Sequence, residues 1–355
     1  MLITLVSFFI ILIILILAHE LGHFFTAKLF KVRVEEFGIF YPPRIFSFKK
    51  GETVYSLNAI PLGGFNKLAG EEDPNVPGSL ASKSIPVRLL VLSAGSLMNI
   101  LLPVLLLSIA FMIPHLESVN PNSTDKGQVF VIEVVANSPA AKAGIKPNDI
   151  ILSANGETVQ NITDYERIVK SNYGTEIAVA VKHDNGSLAE VKLTPQANAS
   201  ASQGATGVAI TDAVRKTDSF WVAIPNGAKS FWNMIVLFKD GIIGMIRGTV
   251  PVNLTGPVGL AQMTGEIVKT GMSNLLSFAA VISLNLGILN IFPIPAMDGG
   301  RIVFVLLEWV RRGKRVSPKV EGMVHSIGFM LLMIVFLVIS YHDILRIIQG
   351  GSLGM

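Results

Sequence analysis

Ile14-Leu15-Ile16-Leu17-Ala18-His19-Glu20-Leu21-Gly22-His23-Phe24-Phe25 decides how the chain is read, because it sets three ionisable side chains inside an apolar run. Met1 to Ala18 carries no charge, and apolar character resumes at Phe24 and Phe25 before Lys28. A membrane-spanning helix needs about 20 mostly apolar residues, and this run supplies them. A secretory leader would open on basic residues and close on a small-residue cleavage site; neither is present, so the run is expected to be retained as a span. Ionisable groups within such a helix cost several kcal/mol unless paired or metal-bound, and read as functional. On a helix, positions i and i+4 share a face, so His19 and His23 can reach one ion. Glu20, about 100° round, can reach a water beside it.

The rest of the chain agrees with a membrane setting. Its 355 residues are 50% apolar and only 15% charged, against about 25% charged in soluble domains. With no cysteine, disulfide scaffolds, thiolate metal sites and cysteine nucleophiles are excluded, and any metal must be held by His, Asp or Glu. Three further uncharged runs follow, Leu89 to about Pro114, Leu275 to about Ile294 and Met323 to about Tyr341. The fold class is therefore a polytopic α-helical membrane protein of about four spans. Val222 to Met245 carries Lys229, Lys239 and Asp240 among clustered aromatics, the pattern of an amphipathic helix lying at the interface. Basic residues from Lys28 to Arg88 and from Arg301 to Lys319 occupy the loops after spans one and three. The positive-inside rule places both loops in the cytoplasm, and both termini and the segment 115–273 outside. The net charge of +4 is thus a topology signal, and no nucleic-acid partner is needed to explain it; membrane lipid is the partner it implies.

Within the outside segment a soluble pattern appears. Val129 to Val135 reads as a strand, and Ser138-Pro139-Ala140-Ala141-Lys142-Ala143-Gly144-Ile145 as a capped short helix. Ile150 to Ala154 is a strand followed by Asn155-Gly156, a type I′ hairpin signal. Asp164 to Lys170 reads as a helix, and Glu176 to Lys182 with Leu188 to Leu193 as a last hairpin. The Ser-Pro-Ala-x-x-Ala-Gly-Ile run with Asp149 and Asn155-Gly156 resembles a bacterial PDZ domain. Such domains bind a peptide as an added strand; here the carboxylate-binding loop would lie near Gly204 to Ile210. A spacer or size filter that binds no peptide fits equally, and 197–205 also reads as a linker.

Two histidines leave a zinc site short of a third protein ligand. The candidate is Asp298, in Asn290-Ile291-Phe292-Pro293-Ile294-Pro295-Ala296-Met297-Asp298-Gly299-Gly300-Arg301. Pro293 and Pro295 break the helix, and broken backbone at membrane depth is tolerated only where protein or a water cavity lines it. The competing reading is that Asp298 merely caps the next helix. His115, His183, His325 and His342 are expected in loops or at the opposite membrane face, without a partner at metal spacing.

His19-Glu20-x-x-His23 paired with Asn290-x-x-Pro293-x-Pro295-x-x-Asp298-Gly299 resembles the site-2 protease family of intramembrane zinc metalloproteases, RseP-type with a single PDZ domain. Pro61-Leu62-Gly63-Gly64-Phe65 with Gly70-Glu71, Gly95-x-x-x-Asn99, Leu254-Thr255-Gly256-Pro257-Val258-Gly259 and Asp343-Ile344-Leu345-Arg346 extend the resemblance nearly end to end. Ser96, where the family often has Pro, and Met297, often Leu, depart from it; neither is expected to touch a ligand. The resemblance implies one zinc ion on His19, His23 and Asp298, with Glu20 as general base. It also implies that Asn290 and Asn285, together with the break at Pro293 and Pro295, bind and steady the substrate; Asn285 could as well join two helices. Val54-Tyr55-Ser56-Leu57-Asn58 alternates enough for an edge strand that pairs with an extended substrate, or for a plain surface hairpin. The expected substrate is a single-span membrane protein, such as an anti-sigma factor already cut by another protease, or a remnant signal peptide. A catalytically silent PDZ scaffold is the alternative.

The expected divisions are 1–113 with a cytoplasmic β-loop at 34–84, the PDZ domain at 115–212, an interfacial helical segment at 213–273, and a membrane region at 274–355.

Overall fold

The computed structural model describes residues 2–71, 73–119, 127–135, 137–197, 204–251 and 255–349. The chain opens with α1 (Leu2–Leu29), β1 (Val34–Lys50), β2 (Thr53–Leu68) and α2 (Ile85–Met112). A strand-rich stretch follows: β3 (His115–Ser118), β4 (Gln128–Val134), α3 (Pro139–Ala143), β5 (Ile150–Ala154), β6 (Glu157–Thr158), α4 (Ile162–Ser171), β7 (Ile177–Lys182), β8 (Leu188–Leu193) and β9 (Val208–Lys216). The chain closes with α5 (Phe220–Ile246), α6 (Pro257–Ile267), α7 (Met272–Ile291), α8 (Asp298–Val310) and α9 (Pro318–Ile348). Two compact units emerge, one of 1–109, 222–268 and 275–355, the other of 110–221 with 269–274.

In the first unit, α1, α2, α7 and α9 are long and apolar enough to cross a membrane, as the four uncharged runs predict. The ends differ: α9 starts at Pro318, before the uncharged run, because Ser317-Pro318 opens a helix whose first turn is polar. Ile11 and Leu15 of α1, Leu106 and Leu107 of α2, and Leu275, Ala279 and Ala280 of α7 form one buried cluster. Small residues let these helices approach closely. A Cβ at Gly22 would strike the Ala94 carbonyl of α2, and one at Gly287 would sit 2.8 Å from Ser96 O.

The β1–β2 sheet is more folded than a hairpin. β1 bends at Phe40 (φ +68), so its halves take different places. Residues 44–50 pair with 53–58 across a turn at Gly51, while 34–39 lie between 54–57 and 64–68. The order across the sheet is therefore 44–50, 53–58, 34–39, 64–68. This corrects the reading of Val54, Tyr55, Ser56, Leu57 and Asn58 as an edge. Tyr55 is flanked by Phe37 and Phe48, and Asn58, 2% exposed, donates to Phe40 O at 3.0 Å and so secures the bend. A segment bonded on both sides has no ladder groups left for a substrate. Among the described residues, no strand pairs the outer side of 64–68.

The second unit is a PDZ-like sheet in the order β3-β9-β4-β5-β7-β8, with β6 on β5. Ser138 caps α3 by accepting from Ala141 N, and Gly144 (φ +87) closes it. Asn155 and Gly156 both have positive φ (51° and 79°), as the type I′ turn requires. Val129, Val131, Ile151, Tyr165, Ile168, Val179 and Val181 are core residues. β9 runs to Lys216, four residues beyond the expected end at 212, and α5 then spans the expected amphipathic segment. Residues 198–203 of the expected linker and Leu254 lie outside the described residues.

Candidate metal centre and its cavity

The His-Glu-x-x-His run occupies the fifth turn and beyond of α1, where helical spacing stacks His19 and His23 on one face. α8 begins at Asp298, and the carboxylate turns toward that face. His19 Nε2 and His23 Nε2 each lie 3.3 Å from Asp298 Oδ2 and 3.3 Å from one another. Ligand atoms held tetrahedrally at about 2.0–2.1 Å from one zinc ion sit about 3.3–3.4 Å apart. The three donor atoms thus form one face of a zinc-sized tetrahedron. His23 Nδ1 donates to Val91 O at 2.8 Å, which leaves the Nε2 lone pair facing the triangle.

The support around the triangle comes from α2. Ser96 Oγ donates to Asp298 Oδ2 at 3.1 Å. Ser96 therefore touches the carboxylate, contrary to expectation: α2 crosses directly over the centre. Gly95 makes that crossing possible, since a Cβ there would fall on the His23 ring. Gly299 and Gly300 let α8 press on the carbonyls of 291–294. Ala296 has φ +73, and its N–H donates to His325 Nδ1 at 2.8 Å. His325 thus lies on a helix against the Pro293–Met297 turn, and is neither in a loop nor remote from the site.

The triangle opens on a cavity of about 380 Å³ lined by Glu20, Tyr41, Gly63, Gly64, Phe65, Asn66, Asn290, Met297 and Arg301, among others. Glu20 is buried, and Asn66 Nδ2 donates to its Oε2 at 2.6 Å and to its backbone carbonyl at 2.8 Å. A Cβ at Gly64 would lie 2.7 Å from Glu20 Cγ, so the outer strand 64–68 reaches the carboxylate only because Gly64 has no side chain. Arg301 is engaged by Glu71, which also accepts from Leu68 N at 3.2 Å.

Of the substrate residues read from sequence, Asn290 lines this cavity; Asn285, Pro293 and Pro295 do not. Five residues along α7 turn Asn285 about 140° away from Asn290. Pro295 packs on Gly328 of α9, so it shapes the turn that presents Asp298. Sequence reasoning missed Ser96, Asn66, Tyr41 and His325. The Gly95-x-x-x-Asn99 motif pointed at α2 and the Pro61–Phe65 motif ends just before Asn66; nothing local marked Tyr41 or His325.

A His-Glu-x-x-His helix and a distant aspartate converging beside a buried carboxylate define a metallopeptidase-type centre within an apolar helical scaffold. The comparisons agree: the model of peptidase family M50 matches residues 7–335, and the chain belongs to that family. It is a zinc metalloprotease. It is 30% identical to the regulator of sigma-W protease RasP of Bacillus subtilis, over 97% of this chain and 99% of that protein. It is 28% identical to the zinc metalloprotease RasP of Geobacillus kaustophilus, over 96% and 97%. Among solved structures, the PDZ domain of an SdrC-like protein from Listeria monocytogenes matches 25% of this chain and 92% of that domain, at 20% identity and a TM-score of 0.21.

Proposed function

We propose that this protease hydrolyses peptide bonds of single-span membrane proteins, or of remnant signal peptides, at a zinc ion held by His19, His23 and Asp298. The observation that carries the reading is the 3.3 Å triangle of donor atoms opening beside Glu20 on one cavity. When bound, zinc would supply a Lewis acid that activates water and polarises the scissile carbonyl. Glu20 takes the proton of the attacking water and passes it to the leaving amine. Asn66 holds that carboxylate in place, and Asn290 contacts the substrate main chain. A helical substrate hides its peptide bonds, so it is unwound and laid along the outer edge of 64–68, whose Gly64 abuts Glu20. Edge pairing of this kind binds main chain irrespective of side chain.

The basic loops support a centre near the cytoplasmic face of a bacterial plasma membrane, with both termini and the PDZ-like unit outside. An anti-sigma factor trimmed by a first protease is the substrate type this arrangement suits; the PDZ-like unit then acts as peptide binder or size filter. The test is co-expression of single-span substrates with the wild type, Glu20→Gln and Asp298→Asn. Cleavage lost in both variants, with zinc lost only in the second, is expected. Unchanged cleavage by Glu20→Gln would leave a membrane scaffold as the function.

A further inference from the structure

We propose that Tyr41 is a further catalytic residue, its phenolic hydroxyl donating a hydrogen bond to the scissile carbonyl oxygen as negative charge develops there. The inference rests on the protease reading above. Tyr41 lines the same cavity as Glu20, the histidines and Asp298. It follows Phe40, whose φ of +68 is a costly conformation for a bulky side chain, and such strain concentrates at functional sites.

The ring has two close neighbours, Phe65 and the backbone at Gly63. It stacks on Phe65 at 6.2 Å and 11°, and Phe65 in turn fills the space where a Cβ at Gly38 would stand. A Cβ at Gly63 would lie 2.9 Å from the Tyr41 ring, so the backbone there passes close to the phenol. Two glycines and one aromatic therefore fix the phenol over the outer strand of the sheet. Among the described residues its hydroxyl has no hydrogen-bond partner. Of the other donors of the cavity, Asn66 is engaged by Glu20 and Arg301 by Glu71, while Asn290 is the one assigned to the substrate main chain. Partial desolvation, in a residue still 40% exposed, and then the nearby Glu20 carboxylate push the phenol pKa up, with Arg301 opposing.

No proton leaves Tyr41 in this step. As water oxygen bonds to the carbonyl carbon, Glu20 takes its proton and the C=O π pair moves to oxygen, where the Tyr41 O–H hydrogen-bonds to it. On collapse the pair returns, the C–N bond breaks and Glu20 delivers the proton to nitrogen. Donors aimed at developing charge are among the larger contributions to catalysis.

The experiment screens synthetic single-span membrane peptides for one cut by the purified full-length wild type and not by Glu20→Gln, then compares Tyr41→Phe on that peptide. The expected result is a fall in kcat on the order of 100-fold, with KM and bound zinc unchanged; Tyr41→Leu, which also removes the ring, falls at least as far. Wild-type kcat in Tyr41→Phe, or a change confined to KM or to zinc content, would overturn the proposal while sparing the protease reading. If no peptide separates the wild type from Glu20→Gln, that reading fails and takes the proposal with it.

Discussion

Gly95 has no side chain because His23 stands where one would be. Alanine there must push the imidazole off the triangle, so Gly95→Ala is expected to lower the zinc content of the purified protein below one ion per chain. Its neighbour Ser96 acts more gently, through one hydrogen bond to Asp298. Outer-shell partners of metal ligands typically contribute 10- to 100-fold in affinity. Ser96→Ala is therefore expected to weaken zinc about tenfold, read by competition with a chelator, while the fold persists.

At the scale of elements, the turn between α7 and α8 decides where Asp298 points. Its strain sits at Ala296 (φ +73), and its anchor is His325 of α9. Removing the anchor by His325→Ala is expected to reduce kcat about 10- to 100-fold, since small misplacements near a reacting centre cost that much. His325→Asn, whose amide oxygen can accept from Ala296 N, should recover part of the loss, a recovery that mere packing would not give. The sequence showed this turn only in half. Two prolines and two glycines marked a break, because those residue types act on their own backbone. The histidine that steadies it is nearly thirty residues away and carries no local mark. The β1–β2 sheet was obscured for the same reason: alternation in 54–58 is equally compatible with an edge or an interior position, and only the bend at Phe40 separates the two. By contrast, α1, the Asn155-Gly156 turn and the His19–His23 spacing were fully legible, since helix period, hairpin geometry and ligand spacing are local properties.

Across the whole molecule, ion pairs tie the chain's distant halves. Glu308 of α8 pairs with Arg88 of α2 and with Arg315. Burial alone would raise the Glu308 pKa; the hydrogen bonds from Arg88 and Arg315 prevail and hold it below the ordinary 4.5. A depressed folded value means that the cluster's stabilisation is complete above the ordinary carboxylate pKa and fades as pH falls through the lower one. Thermal unfolding should therefore turn acid-sensitive below about pH 4.5, and Glu308→Gln should flatten that limb. Zinc held by His19, His23 and Asp298, as proposed, would tie α1 to α8 in the same manner: protein stripped by chelator is expected to melt lower and to regain its melting temperature on adding zinc, as binding to the folded state alone requires.

Asp343 Oδ2 of α9 accepts from Gly256 N at 2.9 Å and Gly259 N at 2.8 Å, closing the start of α6 from a position 87 residues later. During synthesis, those amides stay without this acceptor until residue 343 has been added. The start of α6 is thus expected to close only once α9 has formed: nascent chains arrested before residue 343 should be cut by added protease around Gly256, and chains that include it should resist.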